Sequence, residues 1–270
     1  MNTTSLAIDR VKRTPALRHL VIELLWQVAD DDLMIGFRDQ EWLGLAPHIE
    51  EDVAFGSIGQ EELGHAVHYY GLIEALTGDR ADDLALLRET SARRNAVLLE
   101  QPNGAGDYLH DPHFNWAFTI VRHYLHDVWE MTVLTAMTGS VVEELAQAGT
   151  KILGEKRYHR AHQELWLRLL AAHNPQQLQD GLALASQWGA DLADFGPMAI
   201  DLQQSGVLPD APLLPKQFAD EVTDAFKEMS IDLPIFQPGL NGRQGQHTAA
   251  LGGALTTLSE VYRLDPGARW

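Results

Sequence analysis

Residues 61–66 read EELGHA. Glu62 and His65 stand three apart, so on a helix they share one face, with Cβ atoms about 5–6 Å from each other. An inward-facing Glu-x-x-His pair is the half-site of carboxylate-bridged di-metal helical bundles, which draw further carboxylates from the other helices. Hard oxygen donors offset the charge of the metals, and imidazole completes the donor set. Alone, the pair is more often a solvated patch on a helix surface. Its company decides the reading. Asp30, Asp31 and Asp32 lie upstream, Asp127 and Glu130 fall in YLHDVWEM (124–131), and Glu155 and His159 fall in GEKRYHRAH (154–162).

Working outward, each of these groups sits in a segment of helical period. Leu17, Leu20, Val21, Leu24, Leu25, Val28, Leu33, Ile35 and Trp42 recur mostly at three- and four-residue spacings. This predicts a helix from Pro15 to Leu45, with Gly36 as the place for a bend and Ala46–Pro47 as its stop. A second helix is expected from His48 to Leu76, ended by Thr77–Gly78. Residues 79–113 are less regular, with a short helix over Asp82–Thr90 and a long surface connection after it. A third helix is expected from Phe114 to Thr138–Gly139. A fourth starts at Ser140 as N-cap and reaches His173. Two close helix pairs joined by one long crossover make an all-α, ferritin-like four-helix bundle. Further helices are expected over Gln177–Phe195, Met198–Gln204, Phe218–Met229 and His247–Tyr262. No alternating strand pattern is legible. The chain reads as a single helical domain, 1–270, with a core bundle over about 15–173 and C-terminal helices and an extension over 174–270.

In this frame each bundle helix offers a carboxylate and two offer a histidine. The candidate metal ligands are Asp31, Glu62, Asp127 and Glu155 through oxygen and His65 and His159 through nitrogen. Asp30 or Asp32 can stand for Asp31, and Glu130 for Asp127. Two features depart from the pattern. The first helix supplies a short aspartate, and the fourth reads Glu-x-x-x-His, which moves the histidine by about 100° around the helix. The same residues also fit a structural polar network, in which Glu155 or Asp127 pairs with Arg157, Arg122 or Arg160. Buried carboxylates without a metal need such partners or protonation.

Composition narrows the function. The 270 residues carry 38 acidic and 20 basic side chains, a net charge of −18, and no cysteine. No disulfide scaffold, thiolate zinc site or iron–sulfur cluster is available. Nucleic acid and anionic membranes repel such a surface, and no long basic run offsets it. The start, MNTTSLAIDRVKRTPAL, has no apolar signal core, and no apolar run approaches a membrane span. A cytoplasmic protein is expected. His68, His123, His126 and His162 read as partly exposed or core-edge residues, and His110, His113 and His247 as loop or helix-start residues. The tryptophans at 26, 42, 116, 129, 166 and 188 read as core or interface anchors. LNGRQGQH (240–247) lacks the lysine and hydroxyl of a phosphate-binding loop.

Several blocks together resemble the C-type subunits of the ring-1,2-phenylacetyl-CoA epoxidase, a multicomponent monooxygenase. They are EWLGLAPHIEEDVAFGSIGQEELGHA (41–66), LLEQPNG (98–104), RHYLHDVW (122–129), GEKRYHRAH (154–162) and the tail GRQGQHTAALGGALTTLSEVYRLDPGARW (242–270). The resemblance implies a ferritin-like fold. It also implies pairing with a homologous A-type subunit that carries di-iron, alongside small and reductase subunits. It makes this chain a structural, non-catalytic component in aerobic phenylacetate catabolism, with no cofactor of its own, forming homodimers when alone. The alternative is an oxygenase in its own right, holding di-iron or di-manganese on the six ligands named above.

Overall fold

The structure is a computed structural model that describes residues 6–268. Residues 1–5 of the stretch read for a signal, and Arg269 and Trp270 of the tail block, lie outside the described residues. The elements run α1 (Ile8–Lys12), α2 (Pro15–Gln40), α3 (Ile49–Thr77), α4 (Ala81–Leu86), α5 (Val97–Glu100), β1 (Gly104–Asp107), β2 (His110–Phe114), α6 (Trp116–Met137), α7 (Glu143–His173), α8 (Pro175–Trp188), α9 (Ala199–Ser205), α10 (Leu214–Glu228) and α11 (Ala249–Leu264). The long helices α2, α3, α6 and α7 form the bundle. α2 packs along α3, and α6 along α7. The fold is all-α and ferritin-like, as the helical periods predict.

The boundaries differ for local reasons. α2 ends at Gln40 rather than Leu45 because the chain turns through Gly44, whose φ of +78° suits glycine. Gly36 lies within the continuous helix and serves packing. A Cβ there would come within 2.9 Å of Leu63 Cγ and 3.1 Å of the Gly59 carbonyl, so the glycine lets α2 and α3 approach closely. Gly78 ends α3 with φ +90°, donating its N–H to the Glu74 carbonyl, as expected. Ser140 does not cap α7. The N-cap is Val142, and the Ser140 hydroxyl donates to the Val207 carbonyl at 2.7 Å.

The crossover holds a strand pair where no alternating pattern predicts one. β1 and β2 form an antiparallel hairpin with an irregular register between Ala105 and Asp107. Its residues are mostly Gly, Asp and His, so no apolar alternation announces it. The rest of the crossover is pinned to the bundle. The Asn103 side chain donates to the Arg38 carbonyl at 2.7 Å, and the Arg122 guanidinium donates to the Gln101 carbonyl and to Asn103. This accounts for the LLEQPNG block. Trp42, Phe55, Phe114, Trp116 and Trp166 form an aromatic chain of edge-on and tilted pairs, with centroids 4.7–5.3 Å apart. One buried apolar cluster runs from Val11 to Leu255 and includes residues of α8, α10 and α11.

The tail is held by charge. Arg243 bonds both Asp31 carboxylate oxygens at 2.8 Å, and the Gly242 N–H donates to Asp191 at 2.7 Å. His247 and Thr248 bond Glu100. LNGRQGQH is therefore a structural clamp between the C-terminal segment and the bundle.

Candidate metal centre and its internal lysine

Three consecutive aspartates on α2 point about 100° apart, and each meets a different neighbour. Asp30, itself buried, accepts from Tyr70, Arg88 and Arg93. Asp31 is taken by Arg243 and by the Ala96 N–H. Asp32, fully buried, faces the bundle centre. There it meets Glu62 and His65 from α3 and His126 and Glu130 from α6, at the spacings that put them on inward faces. Asp127 and His123 complete the α6 row.

α7 contributes something else. His159 is buried and its Nδ1 lies 3.1 Å from Glu62 Oε1. Three residues before it, in the place of the glutamate in a Glu-x-x-His half-site, stands Lys156. Its side chain is fully buried. Its Nζ lies 2.5 Å from Glu62 Oε1, 3.0 Å from Asp127 Oδ1 and 2.5 Å from Glu130 Oε2. Glu155, one residue off, is carried away from the centre. It is 37% exposed and accepts from His65 Nε2 at 2.6 Å near the surface. Glu61 and His159 make a matching pair at 2.6 Å. Thus Glu62, His65, Asp127 and His159 gather around the centre, while Asp31 and Glu155 lie outside it and Asp32 and Glu130 lie within it. The arginine pairs considered for a polar network do not form. Arg122 serves the crossover, and Arg160 bonds Glu164 and Glu221. The cation is Lys156.

Electrostatics follow from this geometry. Burial pulls the Lys156 ammonium down, but Glu130, Glu62, Asp127 and Asp32 together push it well above the usual lysine range. Burial would raise Glu62, yet Lys156, His159 and His65 hold it well below the ordinary carboxylate range. Asp127 and Glu130 are also held low against burial, chiefly by Lys156. Asp32 goes the other way. Burial and then the charges of Glu130 and Glu62 push it well above the usual range, so it is the carboxyl of the cluster that takes a proton most readily.

Two groups of buried donors approach to within 4.8 Å: Asp32, Glu62, His65 and Glu130 in one, and Glu62, His123 and Asp127 in the other. The first could hold a metal ion. Both Asp32 oxygens and Glu130 Oε1 are buried without a hydrogen-bond partner, and such atoms suit a cation. The second group does not fit one. His123 Nε2 lies 2.8 Å from Asp39, and its Nδ1 lies 3.5 Å from Asp127. Burial alone would lower it, but Asp39 and Asp127 push it up to about 10. Protonated on both nitrogens, it has no lone pair for a metal, and Lys156 already bonds Glu62 Oε1 and Asp127 Oδ1. The donor set therefore does not fit a di-metal centre.

His123 and His126 are fully buried rather than at the core edge, because α6 is enclosed by the fold on nearly every face. The raised His123 pKa is a stability statement. A group near 6.5 when unfolded and about 10 when folded stabilises fully below pH 6.5, and that contribution is lost as pH rises towards 10. The denaturant midpoint should fall between pH 7 and 10, and fall less steeply in His123→Gln.

A model of the family described as phenylacetic acid catabolic protein matches residues 5–270. The chain belongs to this family. It is 30% identical over 249 residues to the C-type subunit of the 1,2-phenylacetyl-CoA epoxidase of Escherichia coli (strain K12), covering 90% of this chain and 96% of that protein. Within this chain, α3 carries Glu-x-x-His and the matching position on α7 is written Lys-x-x-His. GEKRYHRAH carries this signal in its spacing. Counting three back from His159, as from His65 to Glu62, lands on Lys156. No helix of the described residues is long and apolar enough to cross a membrane.

Proposed function

We propose that this chain is a structural, non-catalytic subunit of a phenylacetyl-CoA epoxidase complex in aerobic phenylacetate breakdown, acting in the cytoplasm beside a homologous catalytic subunit that holds the di-iron. The observation that carries this reading is Lys156. An ammonium bonded to three of the carboxylates meets their need for a counter-charge from within the chain. The bundle keeps the architecture of a metal centre and folds around a side chain instead. Likeness to a C-type epoxidase subunit along nearly its full length supports the same role.

A second reading has one specific observation in its favour: the unpartnered oxygens of Asp32 and Glu130, which with Glu62 and His65 would hold a single ion in a chain that oxidises substrate itself. The two are separated by turnover. The chain alone, loaded with ferrous iron and given a reductant, dioxygen and phenylacetyl-CoA, is expected to form no oxidised product above a protein-free control. Product formation that disappears in Glu62→Ala would overturn the structural role.

A further inference from the structure

α2 and α6 face each other across a small cavity of about 10 Å³. α2 lines it with Val28, Asp31 and Asp32, and α6 with His126, Trp129, Glu130 and Val133. Each set recurs at three- and four-residue spacings, so each is one helix face. The walls are apolar, and Val28, Trp129 and Val133 are all buried. The floor is polar. Asp32, His126 and Glu130 are each 3% exposed or less. Both Asp32 oxygens, Glu130 Oε1 and His126 Nδ1 are buried with no hydrogen-bond partner. Asp31, at the edge, is already taken by Arg243.

Asp32 Oδ1 lies 3.7 Å from His126 Nε2. That is too long for a hydrogen bond, and it is a separation that one bridging water spans. Space agrees, because a water needs about 10–15 Å³ of such room and two to four polar partners. Charge decides between a water and a cation. Lys156 Nζ sits 2.5 Å from Glu130 Oε2, so a cation on Glu130 would share that carboxylate with an ammonium. Water carries no charge. It both donates and accepts, so it fits Asp32 with or without a proton.

We infer that the α2–α6 cavity is the binding site of one long-lived water molecule, which joins Asp32 of α2 to His126 and Glu130 of α6. Lys156 bonds Glu62, Asp127 and Glu130, and the water serves Asp32, the carboxyl that the ammonium does not bond. The centre is then completed without a metal, by an ammonium from α7 and by a water towards α2. Val28, Trp129 and Val133 shield the water from bulk solvent and slow its exchange. The inference rests on the structural-subunit reading only in that no ion occupies Asp32.

The test is oxygen-17 magnetic relaxation dispersion on the full-length, chelator-treated chain, which counts water molecules held for longer than the protein takes to tumble. Val28→Ile and Val133→Ile each add one carbon at the cavity wall, and Val67→Ile adds one at an exposed site on α3 as a control. Each wall variant is expected to lose one long-lived water relative to wild type, and the control none. An unchanged count in the wall variants would overturn the inference. A crystal structure of the wild-type chain in chelator decides without any variant. One water within about 3.2 Å of both Asp32 and His126 is expected, and an empty cavity or an ion at about 2.0–2.2 Å from Asp32 would overturn the inference. The metal content of the untreated preparation reports separately on the structural role, because the water count in chelator does not depend on it.

Discussion

Lys156→Met should destabilise the folded chain by about 3–5 kcal/mol, the usual cost of removing one partner from a buried ion pair. Methionine roughly matches the shape of lysine, so little of the loss comes from packing. What is lost is the ammonium that bonds Glu62, Asp127 and Glu130. Those carboxylates are held low against burial mainly by this one charge. Without it they must take up protons or draw in water. The variant should therefore recover stability as pH falls towards the carboxylate range, whereas the wild type loses it there. Equilibrium urea unfolding at pH 5 and pH 8 reads both effects. Lys156→Glu sharpens the contrast. It restores a Glu-x-x-His on α7 and adds a carboxylate to an acidic centre. It should be the least stable variant in chelator, and the only one strongly stabilised by added manganese or iron, since binding to the native state alone raises stability. A Lys156→Met protein as stable as wild type would mean that the ammonium is not what neutralises the centre.

Arg243→Met should also cost about 3–5 kcal/mol, for the same reason at a different place. Arg243 is nearly buried and bonds both oxygens of Asp31, the Arg94 carbonyl and the Leu192 carbonyl. Its loss leaves Asp31 with only the Ala96 N–H. The effect should be local first. Hydrogen exchange over residues 230–264 should speed up by orders of magnitude, while α6 and α7 keep their protection. Asp31→Asn, which keeps the shape and part of the bonding, should give a smaller loss. Uniform acceleration throughout the chain, or none, would show that the tail is not clamped through this pair.

Much of this arrangement is legible in the residues alone. Helical period, Pro47 and Gly78 mark the bundle helices to within a few residues, because long apolar stripes tolerate little ambiguity. Glu62 and His65 declare a shared inward face through spacing alone. Other features are hidden for physical reasons. Three adjacent aspartates cannot be told apart by type, and only the partners Arg243, Arg88 and Arg93, remote in sequence, decide that Asp32 faces the centre. His123 and His126 look peripheral because polarity suggests exposure, yet α6 is buried on nearly all sides. Glu155 draws attention as the expected residue type, although its position is one step around the helix from the inward face. Lys156 has the right position and an unexpected charge, and a search for ligands passes over a cation. The hairpin at 104–114 offers no alternation because its side chains are small or polar.

The most direct test is the metal content of the purified wild-type chain after anaerobic loading with ferrous iron and removal of excess by gel filtration. With Lys156 supplying the counter-charge, iron should remain far below one equivalent per chain and should not fall further in Glu62→Ala or His65→Ala. Retention of two irons per chain, lost in those two variants, would contradict the structural role, because a bundle centre already filled by an ammonium has no place for a metal pair.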